Sequence, residues 1–328
     1  MKISELSRYA LSFCGAATML AGCGGSQPPI AGAPSAGSGA LQTHGANAIE
    51  STAALGAAPL NSTIYVPNFG GNSVTTYNPR GKRTLTITAN IHLPFGVAVD
   101  KAGKIYVAND SSSGGDVTSY KPDGTQTTPT ITAGIDDPSG MAFENGKLYV
   151  ANSAGPGFGG SGSVTTYKSD GTQTTPTITA GIDDAIGVAV DANGKIYVTN
   201  FNNNSVTSYK PDGTQTTPTI TAGLDGPFGI AVDANGKIYV ANIAGGTRHH
   251  GSVTTYMADG TQTSPTITTG INRSVGVAVD ASGKIYVTNY RGRHKGGFGS
   301  VTTYTANGTR TTPTITKGIL RPELITLR

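Results

Sequence analysis

The chain has little charge, two cysteines, no helical periodicity and no apolar run long enough to cross a bilayer. Charged residues make up 13% of 328, and the formal net charge is +4. So small a basic excess points to no nucleic-acid partner. Cys14 and Cys23 are the only cysteines. If Cys14 leaves with a targeting segment and Cys23 carries lipid, no thiol remains for a disulfide, a zinc site or a nucleophile. The apolar stretch from Ala10 to Ala21 has polar interruptions and is too short to span a membrane as a helix. No 3.6-residue period appears in the body of the chain, which excludes helical bundles and alternating helix–strand folds. The histidines lie outside the repeated framework described next, so an acid/base pair built on imidazole has no support there.

What the chain has instead is repetition. Residues 186–227, IGVAVDANGKIYVTNFNNNSVTSYKPDGTQTTPTITAGLDGP, recur as full copies at 95–138, 139–185, 228–274 and 275–322. Residues 61–94 form a further copy without its opening segment. A repeat of forty-odd residues marks a stacked or ring architecture. Each unit holds four short runs rich in β-branched and aromatic residues: Gly187–Asp191, Lys195–Asn200, Ser205–Tyr209 and Thr216–Thr221. The intervening Asp191-Ala192-Asn193-Gly194 and Lys210-Pro211-Asp212-Gly213 carry the chemistry of tight reversals. Each unit is therefore a four-stranded antiparallel meander, and six meanders arranged radially make a six-bladed β-propeller, an all-β fold. The small apolar first strand suits the crowded axis, and Pro218 suits an outer edge. The C-terminal Glu323–Arg328 aligns with the missing first strand, with Ile325 and Leu327 at the two valine positions. The chain end is expected to close the ring.

The pattern GxAVDxxGxIYVxN resembles the NHL-repeat propellers and, more loosely, the gluconolactonase/regucalcin-like family, over residues 61–328. The first resemblance implies the six-bladed fold and no particular activity. The second implies a divalent metal on the axis, held by Glu, Asn and Asp, with ligands just before the glycine of an innermost strand. The matching positions here are Phe95, Ser139, Ile186, Phe228, Val275 and Glu323. Of these only Glu323 could ligate, so no metal or other cofactor is expected. Glu323 would serve as a ligand only if the chain were a lactonase-type enzyme. Nothing matches the catalytic His and Glu of virginiamycin-lyase-like propellers.

Residues 1–22 read as a secretion signal, with Lys2 and Arg8 ahead of the apolar run. Leu20-Ala21-Gly22-Cys23 resembles a bacterial lipobox, which implies cleavage before Cys23 and acylation of that residue. Residues 23–60 are rich in Gly, Ala, Ser and Pro and read as a flexible tether. The expected product is a monomeric propeller held at the cell envelope by acyl chains, at the outer membrane or periplasmic face in a Gram-negative cell.

The six copies differ mainly in one place. An asparagine ends the second strand of every unit: Asn68, Asn109, Asn152, Asn200, Asn242 and Asn289. From each Asn to the valine of the next strand the loops hold 5, 7, 11, 5, 10 and 11 residues, and the remainder of each repeat is 36 or 37. Length variation thus sits between the second and third strands, on the face where the blade connections also emerge. Variable loops on a rigid scaffold are where binding resides. Two long loops are basic: Arg248, His249 and His250 in blade five, and Arg291, Arg293, His294 and Lys295 in blade six. They suggest a cationic patch for an anionic group, the alternative being solvated variable loops. His249, His250 and His294 could also be read as metal ligands, though paired histidines in a glycine-rich loop are usually incidental. The six Asn residues suit either a polar rim or a structural role in fixing the strand exit. Phe95 and Phe228 suggest an apolar mouth. Three functional classes stay open: a binding module for an envelope protein or glycan, a lactonase-type hydrolase or lyase using Glu323, and an envelope spacer.

Overall fold

A computed structural model describes residues 62–111, 114–153, 162–246, 250–290 and 298–328. These form six sheets of four antiparallel strands. Apart from one 3₁₀ turn, Phe69–Gly71, no helix occurs among the described residues. Blade four shows the plan, with strands Ala185–Val190, Ile196–Asn200, Ser205–Tyr209 and Gln215–Ile220 in sequential order. The second and third strands pair in regular register, from Ile196 with Tyr209 to Asn200 with Ser205. The outer strand pairs Ile220 with Val206 and Thr216 with Ser208, so the chain bulges around Pro218, which has no N–H to donate.

The C-terminus closes the ring as the alignment requires. Thr326–Leu327 forms the innermost strand of the first blade, pairing Leu327 with Ile64 and Thr326 with Tyr65. Leu327 therefore stands where Val190 stands opposite Ile196. An isolated bridge between Asn68 and Pro322 completes the equivalence with Pro94 opposite Asn109.

The hydrophobic core lies between blades. One cluster joins Tyr149, Val164 and Ile178 of blade three to Val188, Ile196 and Val198 of blade four. Another joins Tyr286, Val301 and Ile315 of blade six to Ile64 and Val66 of blade one across the closure. Two devices, one polar and one steric, fix neighbouring blades. The tyrosine ending each third strand is buried, and its hydroxyl donates to a carbonyl of the preceding blade: Tyr209 to Ala180 at 2.9 Å, Tyr256 to Ala222 at 2.8 Å, and Tyr77 to Lys317 at 2.9 Å across the closure. The outer-strand proline abuts a turn glycine of the next blade. A Cβ on Gly213 would lie 2.6 Å from Pro176, and one on Gly260 would lie 2.5 Å from Pro218. At the axis the inner strands approach so closely that a Cβ on Gly187 would sit 2.5 Å from the Phe228 carbonyl.

Candidate functional site

The asparagines come first, because they end the strands that carry the variable loops. All six are buried. Asn200 donates from Nδ2 to Ser205 Oγ at 3.1 Å and to Thr207 Oγ1 at 3.0 Å, and its Oδ1 accepts the Asp183 N–H at 3.1 Å. Asn242 makes the same set with Ser252, Thr254 and Asp225. Asn68, Asn109, Asn152 and Asn289 likewise accept the N–H of Leu320, His92, Asp136 and Asn272. Each side chain ties its strand exit to the connection entering its own blade, and a buried amide so bonded has little capacity left for a ligand.

That tie leads to a ring of residues the repeat pattern does not single out. The residue before each inner strand, or in blade one before the bridge residue Pro322, is Arg321, Leu93, Asp137, Asp184, Gly226 and Arg273 in blades one to six. All six take positive φ: 48°, 45°, 47°, 61°, 61° and 54°. Each carbonyl accepts the N–H of the residue after the blade's Asn, as in Phe201 to Asp184 at 3.0 Å, Tyr290 to Arg273 at 3.0 Å and Phe69 to Arg321 at 3.0 Å. The backbone repeats while the side chains do not. Glycine meets this conformation without steric cost, as Gly226 does in blade five, whereas arginine and leucine lose about 1 kcal/mol or more there. Side chains kept at strained positions are candidates for function.

Charge around this ring is divided. Blades six and one carry Arg273 and Arg321, and Arg273 lies over the Tyr290 ring at 5.8 Å. Blades three and four carry Asp137, Asp183 and Asp184. Burial, then the neighbouring Asp183 and Asp137, push the Asp184 carboxyl up to about 7. Between the two sectors stand the half-buried Phe69, Leu93, Phe201 and Ile243.

Beneath them the mouth is sealed. Phe95 and Phe228 enter from opposite blades and meet with ring centroids 5.7 Å apart. Phe69 meets Phe95 edge-on at 6.4 Å, and Phe201 meets Phe228 edge-on at 6.1 Å. Phe95 is 7% exposed and Phe228 3%, because the ring places the two side chains across the axis, where each buries the other. Below the plug the axis holds a void of about 60 Å³, lined by Val97, Met141, Val188, Ile230, Val277 and Leu324 among others. Leu324 occupies a position that is glycine in the other blades and reaches toward Gly229.

Glu323 lies within the same layer as the two phenylalanines and is 2% exposed. Burial raises its carboxyl well above the usual range, Arg273 and Arg321 oppose that shift, and Asp110 adds to it. Among the described residues, no three His, Cys, Asp or Glu side chains come together as a metal-binding group.

Of the basic-loop residues, His250 is exposed, and its carbonyl accepts the Arg273 N–H at 2.5 Å. The blade-five loop thus ends against the arginine ring position. Gly299, ending the blade-six loop, abuts Pro322, next to Arg321. Arg248, His249, Arg291, Arg293, His294, Lys295 and the lipobox Cys23 lie outside the described residues. No described helix is long and apolar enough to cross a membrane.

The signal that could have found the ring is the position before the recurrent proline. The residue before a proline is biased away from helical backbone, and here that position holds residues as unlike as Leu, Asp, Gly and Arg.

Comparison with known proteins fits this geometry. The NHL repeat family matches residues 183–209. A protein of unknown function from Bacteroides caccae superposes with a TM-score of 0.64 at 15% identity, covering 81% of this chain and 98% of its own. A chain of a nidogen/laminin complex gives 0.63 at 16% identity, with the same coverage of 81% and 98%. Virginiamycin B lyase from Staphylococcus aureus gives 0.57 at 14% identity, covering 83% and 89%. At such identities these likenesses establish the fold. No curated protein matches the chain in sequence.

Proposed function

The chain is a six-bladed β-propeller with NHL-type repeats, and we propose that it is a non-catalytic binding module, lipid-anchored at the cell envelope through Cys23, which engages a protein or glycan through its variable-loop face. The observation that carries this reading is the loop-face mouth, closed by aromatic side chains. Small-molecule sites are concave and several hundred Å³ in size. Here the Phe95–Phe228 contact closes the loop-face mouth, and the void beneath is about 60 Å³. The groups that break the sixfold symmetry, Arg273, Arg321, Asp137 and Asp184, are partly or fully exposed residues at the starts of the inner strands. The lipid anchor rests on the Leu20–Cys23 lipobox alone.

The test is binding by the purified full chain, with loops 247–250 and 291–297 intact or replaced by Gly-Ser. Pulldown from envelope extract and a glycan array should both be run. A partner bound by the intact chain and lost on loop replacement is the expected result. Binding unaffected by replacement would overturn the choice of face.

A second reading, a hydrolase or lyase of the lactonase type, draws on one observation: Glu323 is a carboxyl buried near the axis, and burial raises its pKa, the direction a general acid needs. Elemental mass spectrometry of the purified full chain discriminates. About one tightly held divalent ion per chain, with lactone hydrolysis abolished in Glu323→Gln, would put this reading first.

A further inference from the structure

Resting on the binding reading above, we infer that the partner is a protein segment bearing charges of both signs, with an acidic group on Arg273 and Arg321, a basic group on Asp137 and Asp184, and an apolar side chain over Phe69 and Phe201 between them.

Three features of the mouth lead there. The first is charge separation on a common frame. The arginines of blades six and one and the aspartates of blades three and four occupy equivalent backbone positions, set at the same hydrogen bond, on roughly opposite sides of the axis. A polyanionic glycan that satisfied the arginine sector would meet Asp137, Asp183 and Asp184 as it crossed the mouth. Like-charge juxtaposition of that kind disfavours a partner. A polypeptide can present one charge to each sector. The second feature is the apolar centre. Phe69, Leu93, Phe201 and Ile243 are half-buried around the aromatic plug, giving the apolar middle and polar rim of a protein interface. The third is the strained backbone. Blade five shows that glycine serves the frame, yet blades one, two and six keep Arg321, Leu93 and Arg273 at positive φ. The blade-five loop ends at His250, whose carbonyl accepts the Arg273 N–H, and Gly299, after the blade-six loop, abuts Pro322 beside Arg321.

The strain also supplies the test. Arg273→Gly and Arg321→Gly each relieve a positive-φ side chain, which offsets the lost contacts such as that of Arg273 with Tyr290, so the double variant should remain folded, as circular dichroism checks. Asp137→Asn and Asp184→Asn keep a residue type that tolerates this conformation. The probe is a phage-displayed library of constrained heptapeptides, selected on the full chain. Recovered peptides are expected to pair a carboxylate with a lysine or arginine across an apolar residue. Their affinity should fall about tenfold or more in each double variant and should weaken with salt. The inference is overturned if selection yields no binders, if the binders are purely acidic, or if polygalacturonate binds the wild type and the Asp137→Asn/Asp184→Asn variant equally well. It is also overturned if both double variants keep wild-type affinity. In that last case, a partner still lost when loops 247–250 and 291–297 are replaced would leave the binding reading standing without this partner chemistry. A partner insensitive to both changes would remove the two together.

Discussion

Glu323 is a carboxyl in a place where the other blades put Phe, Ser, Ile or Val. Its folded-state pKa lies above the unfolded value of about 4.5. As pH rises past that value the unfolded chain gives up its proton first, and stability drains away until the folded pKa is reached. Asp184 adds a loss of the same sign between its ordinary value of 3.8 and about 7. Glu323→Gln should therefore raise Tm at pH 7 and give no advantage near pH 4, as thermal scans across that range would show. A flat difference between the two pH values would mean that the carboxyl is not the cause. The asparagines act in the opposite direction. Asn200→Ala removes two buried donated bonds and leaves the half-buried Asp183 N–H without its acceptor, a loss of about 2–3 kcal/mol. Urea unfolding at pH 7 measures it. The recurrence of Asn was legible in the sequence, as was its position at the strand exit. Its partners were not, because the N–H it accepts lies 17 residues earlier in the chain and meets it only once the blade has folded.

Strands were the most legible level, since turn residues and β-branched runs bracket them directly. The four runs read from residues 186–227 match the four strands to within about two residues at their ends. The glycines of the inner strand have a cause that lies in the neighbouring blade. A Cβ on Gly229 would fall 2.7 Å from the Val275 carbonyl and 2.8 Å from Gly276 Cα. Gly229→Ala is therefore expected to cost about 3 kcal/mol or more, as an overpacked contact against backbone does. At Gly236, in a turn with φ +77°, the nearest neighbour is the Ala258 Cβ at 3.5 Å. Gly236→Ala should cost only about 1 kcal/mol, all of it conformational. Paired denaturant curves test that order, and its reversal would refute the packing account. The tyrosine staples make the same point. The Ser-Val-Thr-Ser-Tyr run reads as a strand, but that its last hydroxyl belongs to the previous blade is decided by how the sheets stack.

At the scale of the molecule, the first and last blades depend on each other. The closing strand contributes Ile325 and Leu327 to the cluster shared by blades six and one. Truncation after Pro322 should remove that cluster's inner layer and expose the edge of Ile64–Asn68. Open edges pair with other chains, so the truncated protein is expected to unfold at lower temperature and to self-associate. Light scattering with circular dichroism would detect both, and a truncated chain as stable and monomeric as the full one would contradict the closure.

By itself the sequence determined the repeat, the strand count, the closing of the ring by its own C-terminus and the face on which the copies diverge. Each of these follows from residue type and spacing along the chain. The tertiary structure alone decided which side chains face outward at the axis. Phe95 and Phe228 sit 133 positions apart and touch only because the ring brings opposite blades together. The residues before the inner strands are held at positive φ by bonds whose partners come from another strand or blade. Contacts across an axis and backbone forced by neighbours have no local pattern to announce them, and here they close the mouth with its own phenylalanines and set unlike charges on opposite sides of it.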